Sequence, residues 1–353
     1  MEWEMLGVVL VGFFSLQAIL FRLPFPVPGI SKGEIRDSRL DQIRGLAMIG
    51  IVLIHIHSYF AFFHPNEPNI THWTLFLSNL SRFSVPVFIF GSSLYLKKKD
   101  DYWKSKVFSL FLPYLAASIA GYFIKYDSKT ILDFIFKLSV GQVFAPYYFV
   151  PLLFQFYIIF YLIPERLLSG INLRILTVVC VTLNFLSNVN LLNPFLPDWY
   201  HSISVFNYCA FFAFGLLIKD RKIIPSVSKN SSVYLLILFT FGIGLVVLAA
   251  LSFSGVEVKN HHLFYPVFGF LILNRILPVS DSYSFNKALS FIGRNSLFIF
   301  LLHPFVIHSM HKFDPLSFGG PVLGYMITLI LNVGIPCTIA SVTTARKERL
   351  SNR

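Results

Sequence analysis

Two side chains that can do chemistry, Arg44 and His55, lie eleven positions apart in an otherwise apolar stretch of the sequence. At about 100° per residue in an α-helix they share one face, and at about 1.5 Å per residue they stand roughly 16 Å apart along the axis. Arginine stays charged and its planar fork of donors suits phosphate binding, whereas histidine transfers protons near neutral pH. The spacing therefore predicts one helix with an anion-binding group and a proton-transfer group on the same face.

The stretch that contains Arg44 and His55 is apolar enough to lie in a membrane. Ionisable residues within a membrane are energetically costly and are therefore candidates for function by default. A structural interpretation is equally supported by the chemistry alone: Arg44 would anchor the helix end and His55 would bond a backbone carbonyl. The functional interpretation requires that both side chains face one common, water-reachable cavity. A close approach by a neighbouring helix is predicted from the small residues on the same helix, which are Gly45, Ala47 and Gly50.

The composition is that of a membrane protein. Of the 353 residues, 55% are hydrophobic and only 13% are charged, against about 25% charged in soluble chains. Apolar runs of spanning length recur throughout, and only helices satisfy the backbone of such runs in lipid. The sequence predicts an all-α polytopic membrane helix bundle with eleven spans, at residues 5–21, 43–63, 74–96, 107–124, 147–163, 171–189, 203–219, 232–253, 262–277, 291–310 and 321–344.

The net charge of +12 follows from the loops and does not indicate a nucleic-acid partner. With the N-terminus outside, 23 of the 29 Lys and Arg residues fall on the inner side, where basic residues accumulate. The outer side keeps six, namely Arg82, Lys125, Lys129, Lys137, Lys259 and Lys312. This count predicts a multi-pass protein of the inner (cytoplasmic) cell membrane with a cytoplasmic C-terminus. In the outer segment, residues 131–140 predict a short interfacial helix.

Three sequence motifs resemble the acyltransferase family 3 proteins, the bacterial membrane O-acyltransferases. The first runs from Arg39 to His55. It includes an arginine and a histidine that are separated by ten residues, here Arg44 and His55. The second is Ser-Arg-Phe-Ser-Val-Pro-Val-Phe at 81–88, followed by Gly-Ser-Ser at 91–93. The third runs from Phe291 to His303. The chain departs from the family at one place. The family often has two arginines ahead of a helix proline, and the corresponding positions here are Lys106 and Ser109, ahead of Pro113.

The resemblance covers roughly residues 38–345. It divides the chain into an N-terminal helix with its linker (1–37), a ten-helix acyltransferase domain (38–345) and a basic cytoplasmic tail (346–353). It implies a donor, acetyl-CoA or another acyl-CoA, that is a substrate and not a permanently bound cofactor. The acceptor would be a glycan or lipid-linked sugar hydroxyl. The resemblance implies that His55 and His303 are the catalytic residues. It also implies that Arg44, with Arg39 and Asp41, binds the donor.

Other candidates have weaker support. Arg82 near the outer end of its span would meet an acceptor or Glu67, or act as a structural anchor. Ser92 is better explained by helix packing and hydrogen bonding than as a nucleophile. His303 shares a face with Ser296. No carboxylate and histidine set has the spacing of a zinc site, so no metal is expected.

Two functions remain open from the sequence. The first is an enzyme that moves an acyl, most simply acetyl, group from acyl-CoA to a hydroxyl of a cell-envelope or exported polysaccharide or its lipid-linked precursor. The second is a transporter or flippase, or an export-complex component, for a glycan or lipid-linked sugar. An all-helical bundle fits both, although transporters often contain internal repeats and none is evident here. The oligomeric state is not set by the sequence.

Overall fold

The computed structural model describes residues 38–63, 68–127, 130–221, 232–258, 277, 283–310, 313, 315 and 319–351. Within these ranges the chain forms helices and no strand. The first seven helices are α1 Arg39–Phe63, α2 Pro68–Leu80, α3 Ser84–Leu94, α4 Tyr102–Lys106, α5 Leu112–Lys125, α6 Ile131–Val140 and α7 Phe149–Leu162. The others are α8 Gly170–Asn188, α9 Cys209–Arg221, α10 Ser232–Phe253, α11 Ser284–Arg294, α12 Ser296–Met310 and α13 Pro321–Ser351.

Six helical segments of the described chain are long and apolar enough to cross a membrane, and the α11–α12 pair adds a seventh if it is counted as one span. The six are Arg39–Phe62, Thr71–Leu94, Tyr102–Lys125, Ala145–Leu162, Gly170–Asn188 and Val322–Thr343. The all-α polytopic bundle is therefore confirmed. The predicted span 5–21 lies outside the described residues, as does 262–277 apart from Leu277.

Several predicted spans differ from the structure in detail. The span predicted as one helix at 291–310 is two helices that meet at an 83° bend at Asn295. The Asn295 side chain donates to the carbonyl of Phe291 at 2.9 Å, which occupies a helix-end acceptor and favours the break. The span predicted at 203–219 begins as 3₁₀ turns and becomes an α-helix only at Cys209.

Helix α1 lies at the centre of the described bundle and packs against α2, α3, α11, α12 and α13. Its contact with α11 is backbone to backbone at Gly45 and Gly293. A Cβ atom on Gly45 would lie 2.1 Å from the carbonyl oxygen of Leu289, and one on Gly293 would lie 1.8 Å from that of Asp41. The close approach predicted at Gly45 is confirmed, and it fixes the end of α1 that carries Arg44.

Replacing Gly45 by alanine is expected to destabilise the protein by about 1–3 kcal/mol, because the methyl group meets backbone atoms that cannot rotate away. Thermal unfolding in detergent should show a lower midpoint temperature. Gly334→Ala on α13 is the matched control, since no atom of the described residues lies within 4 Å of its added Cβ and alanine favours a helix. Equal midpoints for the two variants would contradict the packing argument.

Helix α6 has the limits that the sequence predicted, Ile131–Val140. The Thr130 side chain accepts from the amide of Asp133 and caps its start. Tyr122 of α5 donates to the Asp133 carboxylate at 2.8 Å, and hydrogen bonds from Lys137 and Tyr122 hold the pKa of Asp133 below its ordinary value. These contacts hold α6 against α5. The segment that follows α6 lines one of the cavities described below.

Candidate functional site

Arg44 is held between three helices. Its guanidinium Nη2 donates to the Ser296 hydroxyl at the start of α12, at 3.1 Å, and lies 5.9 Å from the centre of the Phe88 ring on α3. Asp41 lies one turn earlier on α1 and is only 8% exposed. The hydrogen bond to Ser296 therefore joins the motif on α1 to the motif on α12 across 252 residues.

A cavity of about 290 Å³ opens beside Arg44, and we call it the arginine cavity. Its lining is Arg44, Ile51, Phe88, Gly91, Ser92, Tyr95, Lys106, Ser109, Leu110, Phe149, Leu153, Tyr157, Ser296, Leu297 and Phe300. Two cations and several hydroxyls line it, and no carboxylate of the described residues does. Lys106 lies 4.3 Å from the centre of the Tyr157 ring, a cation–π distance. Such a lining favours an anionic ligand with apolar parts.

His55 and His303 form a pair deeper in the bundle. Their ring centres are 5.5 Å apart and the rings are tilted by 39°. His303 is completely buried, and its Nδ1 lies 3.2 Å from the carbonyl oxygen of Ile299. A carbonyl only accepts, so Nδ1 carries the proton of the neutral ring and Nε2 keeps its lone pair. Among the described residues Nε2 has no hydrogen-bond partner.

A second cavity, of about 430 Å³, contains this pair, and we call it the histidine cavity. Its lining is His55, Ser58, Tyr59, Phe62, Lys125, Phe144, Ala145, Pro146, His303, Pro304, Ile307 and His308. Lys125 donates to the carbonyl of Val143 at 3.1 Å and thereby holds the segment that follows α6. The cavity combines aromatic rings with hydrogen-bonding side chains, which is a usual lining for small-molecule sites.

The structure contradicts the prediction that Arg44 and His55 face one common cavity. A mechanism confined to a single cavity is therefore wrong, and any function that uses both residues must involve movement of a group between two cavities. Arg44 and His55 share a face of α1, as their spacing predicted, but Arg44 lines the arginine cavity and His55 lines the histidine cavity. Ile51 on the same stripe of α1 and Phe300 on α12 line the arginine cavity, and each lies within about one turn of a member of the histidine pair. Helical periodicity places residues on a face but does not reveal which side chains fill the space along it.

The sequence model of a protein family described as an acyltransferase domain matches residues 37–341, a range that contains every residue of both cavities. The chain belongs to this acyltransferase family. The resemblance of the three motifs to acyltransferase family 3 is thereby confirmed, and the described spans make the protein a multi-pass membrane acyltransferase.

Curated relatives include the protein named "Probable poly-beta-1,6-N-acetyl-D-glucosamine export protein" in three strains of Staphylococcus aureus, MSSA476, MW2 and N315. Each is 21% identical to this acyltransferase over 323 residues, which cover 84% of this chain and 89% of the relative. No solved structure gives a significant match.

The remaining predicted site residues of the acyltransferase separate into two groups. Ser92 lines the arginine cavity, and its hydroxyl donates to the carbonyl of Ile89 at 2.7 Å. Arg39 and Asp41 line neither cavity, although they lie within two turns of Arg44. Among the described residues, no group of three or more His, Cys, Asp or Glu is placed to hold a metal ion.

Arg82 also lies away from both cavities. It is 5% exposed, it donates to the Ser78 hydroxyl at 3.2 Å, and it forms an ion pair with Glu257 after α10. Glu67, the partner considered from the sequence, lies outside the described residues. The pairing with Glu257 favours the structural interpretation of Arg82.

Several lining residues were not assigned a chemical role from the sequence. From the sequence, Lys125 is only one of the outer charges, and Phe300 has no predicted role. Phe300 follows Ser296 by four residues and precedes His303 by three, so the same-face argument applied to α12 would have identified it. No comparable local signal exists for Lys125, because its position depends on how α5 packs against the segment after α6.

Proposed function

We propose that this acyltransferase transfers an acyl group, most simply acetyl, from acyl-CoA in the arginine cavity to a sugar hydroxyl in the histidine cavity. The sugar belongs to a cell-envelope or exported polysaccharide or its lipid-linked precursor. One observation carries the proposal: α1 and α12 each contribute to both cavities, with Arg44 and Ser296 in one and His55 and His303 in the other.

The donor assignment rests on charge. Acyl-CoA carries phosphates at one end and a thioester at the end of a flexible arm. Arg44 and Lys106 supply two cations to a cavity that no described carboxylate lines, and arginine matches a phosphate oxygen pair with its planar fork. The apolar part of the lining, which includes Phe88 and Leu153, suits the arm.

The chemistry rests on the imidazole pair. The sugar hydroxyl oxygen attacks the thioester carbonyl carbon while an imidazole nitrogen takes the hydroxyl proton. The carbon–sulfur bond then breaks, and the same imidazole returns the proton to the departing thiolate. The His303 Nε2 lone pair is free to accept that proton or to orient His55. The alternative is an acyl-enzyme route. The lone-pair nitrogen of His55 attacks the thioester carbonyl carbon, the carbon–sulfur bond breaks, and the departing thiolate takes the proton of the other ring nitrogen. The sugar hydroxyl oxygen then attacks the same carbonyl carbon, the carbon–nitrogen bond breaks, and the hydroxyl proton returns the His55 ring to its neutral form.

The placement in the cell follows from the distribution of charge. In this proposal the arginine cavity opens to the cytoplasm, where acyl-CoA is made, and the histidine cavity faces outward. The basic residues Lys97, Lys98 and Lys99 follow α3 near the arginine cavity, and basic loops stay cytoplasmic. The membrane is then the inner membrane, with the C-terminus in the cytoplasm.

The name of the relatives, an export protein for a polysaccharide, favours a second candidate function, which is the export of a glycan. Mass spectrometry of envelope and exported glycans from cells with and without the gene separates the two. For an acyltransferase, the glycan remains at normal amount and loses an O-acyl mass, for example that of acetyl. Loss of the glycan itself from the cell surface, with unchanged acylation of what remains, would instead support export.

A further inference from the structure

Lining residues of the two cavities lie within about one helical turn of each other on both α1 and α12. On α1 the lining changes from Ile51 in the arginine cavity to His55 in the histidine cavity. On α12 it changes from Phe300 to His303 within one turn. Any group that moves between the cavities must therefore cross a layer about one side chain thick.

Phe300 is part of this layer and contacts rings that line both cavities or lie beside them. Its ring centre is 5.7 Å from that of Phe149, 6.2 Å from that of Tyr147 and 6.1 Å from that of His303. Phe300 is only 5% exposed. The ring thus lines the arginine cavity and also lies against His303, one member of the histidine pair.

The surrounding contacts hold this ring in place. Tyr147 is completely buried, and its hydroxyl donates to the carbonyl of Leu301, the residue after Phe300, at 2.7 Å. Tyr147 also packs edge-on against Tyr114, with ring centres 5.7 Å apart. A close-packed aromatic layer of this kind responds to changes as small as one methylene group.

We propose that Phe300, supported by Ile51, is the partition between the two cavities and limits the size of the acyl group that reaches the histidine pair. The inference rests on the proposed function, in which the acyl group crosses from the arginine cavity to the histidine cavity. A two-carbon acyl group crosses with a small displacement of the ring, whereas a longer chain must keep the ring displaced while it reacts. Phe300 is thus a specificity-determining residue.

The partition is tested by a series of side chains of different size at position 300. Purified protein in nanodiscs would be given acetyl-CoA, butyryl-CoA or hexanoyl-CoA with an acceptor glycan. In Phe300→Ala the ratio of hexanoyl to acetyl transfer should rise by about 10-fold or more, the order expected when a pocket gains room for methylene groups. Phe300→Leu should give a smaller rise and Phe300→Trp a fall.

Phe156→Ala is the matched control for loss of a buried ring. Phe156 stacks on Phe212 with ring centres 4.6 Å apart and lines neither cavity. Its truncation should lower stability without changing the acyl-chain ratio. Should Phe300→Ala fail to fold, the opposite shifts expected for leucine and tryptophan still decide the question.

A second measurement does not depend on catalysis. Ser109 lines the arginine cavity, and a cysteine there can be labelled with a small, charged, membrane-impermeant thiol reagent. Applied from the side on which the histidine cavity opens, the reagent should label Ser109→Cys only when Phe300→Ala is also present. The parent chain with its three native cysteines supplies the background.

The outcomes separate the partition from the proposed function. If wild-type protein neither binds nor uses acyl-CoA, the proposed function fails and the labelling alone decides the partition. If wild-type protein transfers acetyl but the position-300 variants keep its chain-length ratio and labelling, the partition is overturned and the function stands.

Discussion

Replacement of His55 by alanine should reduce acyl transfer by about 10²- to 10⁴-fold, the usual contribution of a general acid–base side chain. Binding of acyl-CoA should remain near the wild-type level, because Arg44 and Lys106, the cations proposed to bind the donor, line the arginine cavity. The measurement is transfer of labelled acyl groups to the acceptor, together with equilibrium binding of acyl-CoA. Equal losses in binding and in transfer would place His55 in the donor site instead.

The control for His55 is its neighbour His57 on the same helix. His57 is buried and its Nδ1 lies 2.9 Å from the Thr74 hydroxyl, and it lines neither cavity. His57→Gln keeps a group that can hydrogen-bond Thr74 and should transfer acyl groups at nearly the wild-type rate. Unchanged transfer in His55→Ala, at normal protein level, would remove His55 from the mechanism.

The arrangement of α1 was predictable because it depends on local geometry. The 100° rotation per residue places Arg44, Ile51 and His55 on one stripe whatever the rest of the chain does. The tight contact at Gly45 was predictable for a similar reason, since a residue without a side chain marks a face where another backbone can approach. The structure confirms both features.

The cavities themselves were not predictable from periodicity. Arg44 meets Ser296 across 252 residues, and Lys106 reaches the arginine cavity only because α4 and the turn after it pack beside α7. The chain bends by 83° between α11 and α12, so a straight span over 291–310 misplaces the residues before Asn295 relative to those after it. These features depend on tertiary packing, which a single helix does not encode.

The replacement of Arg44 by alanine should weaken acyl-CoA binding by roughly 10- to 100-fold. A hydrogen bond to a charged group contributes about 1.5–3 kcal/mol, and about 1.4 kcal/mol corresponds to a factor of ten in Kd. Arg44→Lys should recover part of the affinity, because a lysine keeps the charge but loses the planar fork. Binding to purified protein should also depend less on salt concentration in Arg44→Ala than in wild type.

Two neighbouring lysines separate charge within the cavity from charge in general. Lys106 lines the arginine cavity, whereas Lys104 is exposed on the same short helix and lines neither cavity. Lys106→Ala should weaken acyl-CoA binding severalfold, and Lys104→Ala should leave it unchanged. Equal effects of the two lysines would mean that overall charge attracts the donor and that the arginine cavity does not bind its phosphates.

Ser296 distinguishes the charge of Arg44 from its position. Ser296→Ala removes the hydroxyl that accepts from Arg44 but leaves the guanidinium in the cavity. If the guanidinium binds the donor directly, this variant should keep most of the affinity that Arg44→Ala loses. If Ser296→Ala loses as much affinity as Arg44→Ala, then the contact between α1 and α12 shapes the cavity, and Arg44 acts as a positioning residue whose charge does not touch the phosphates.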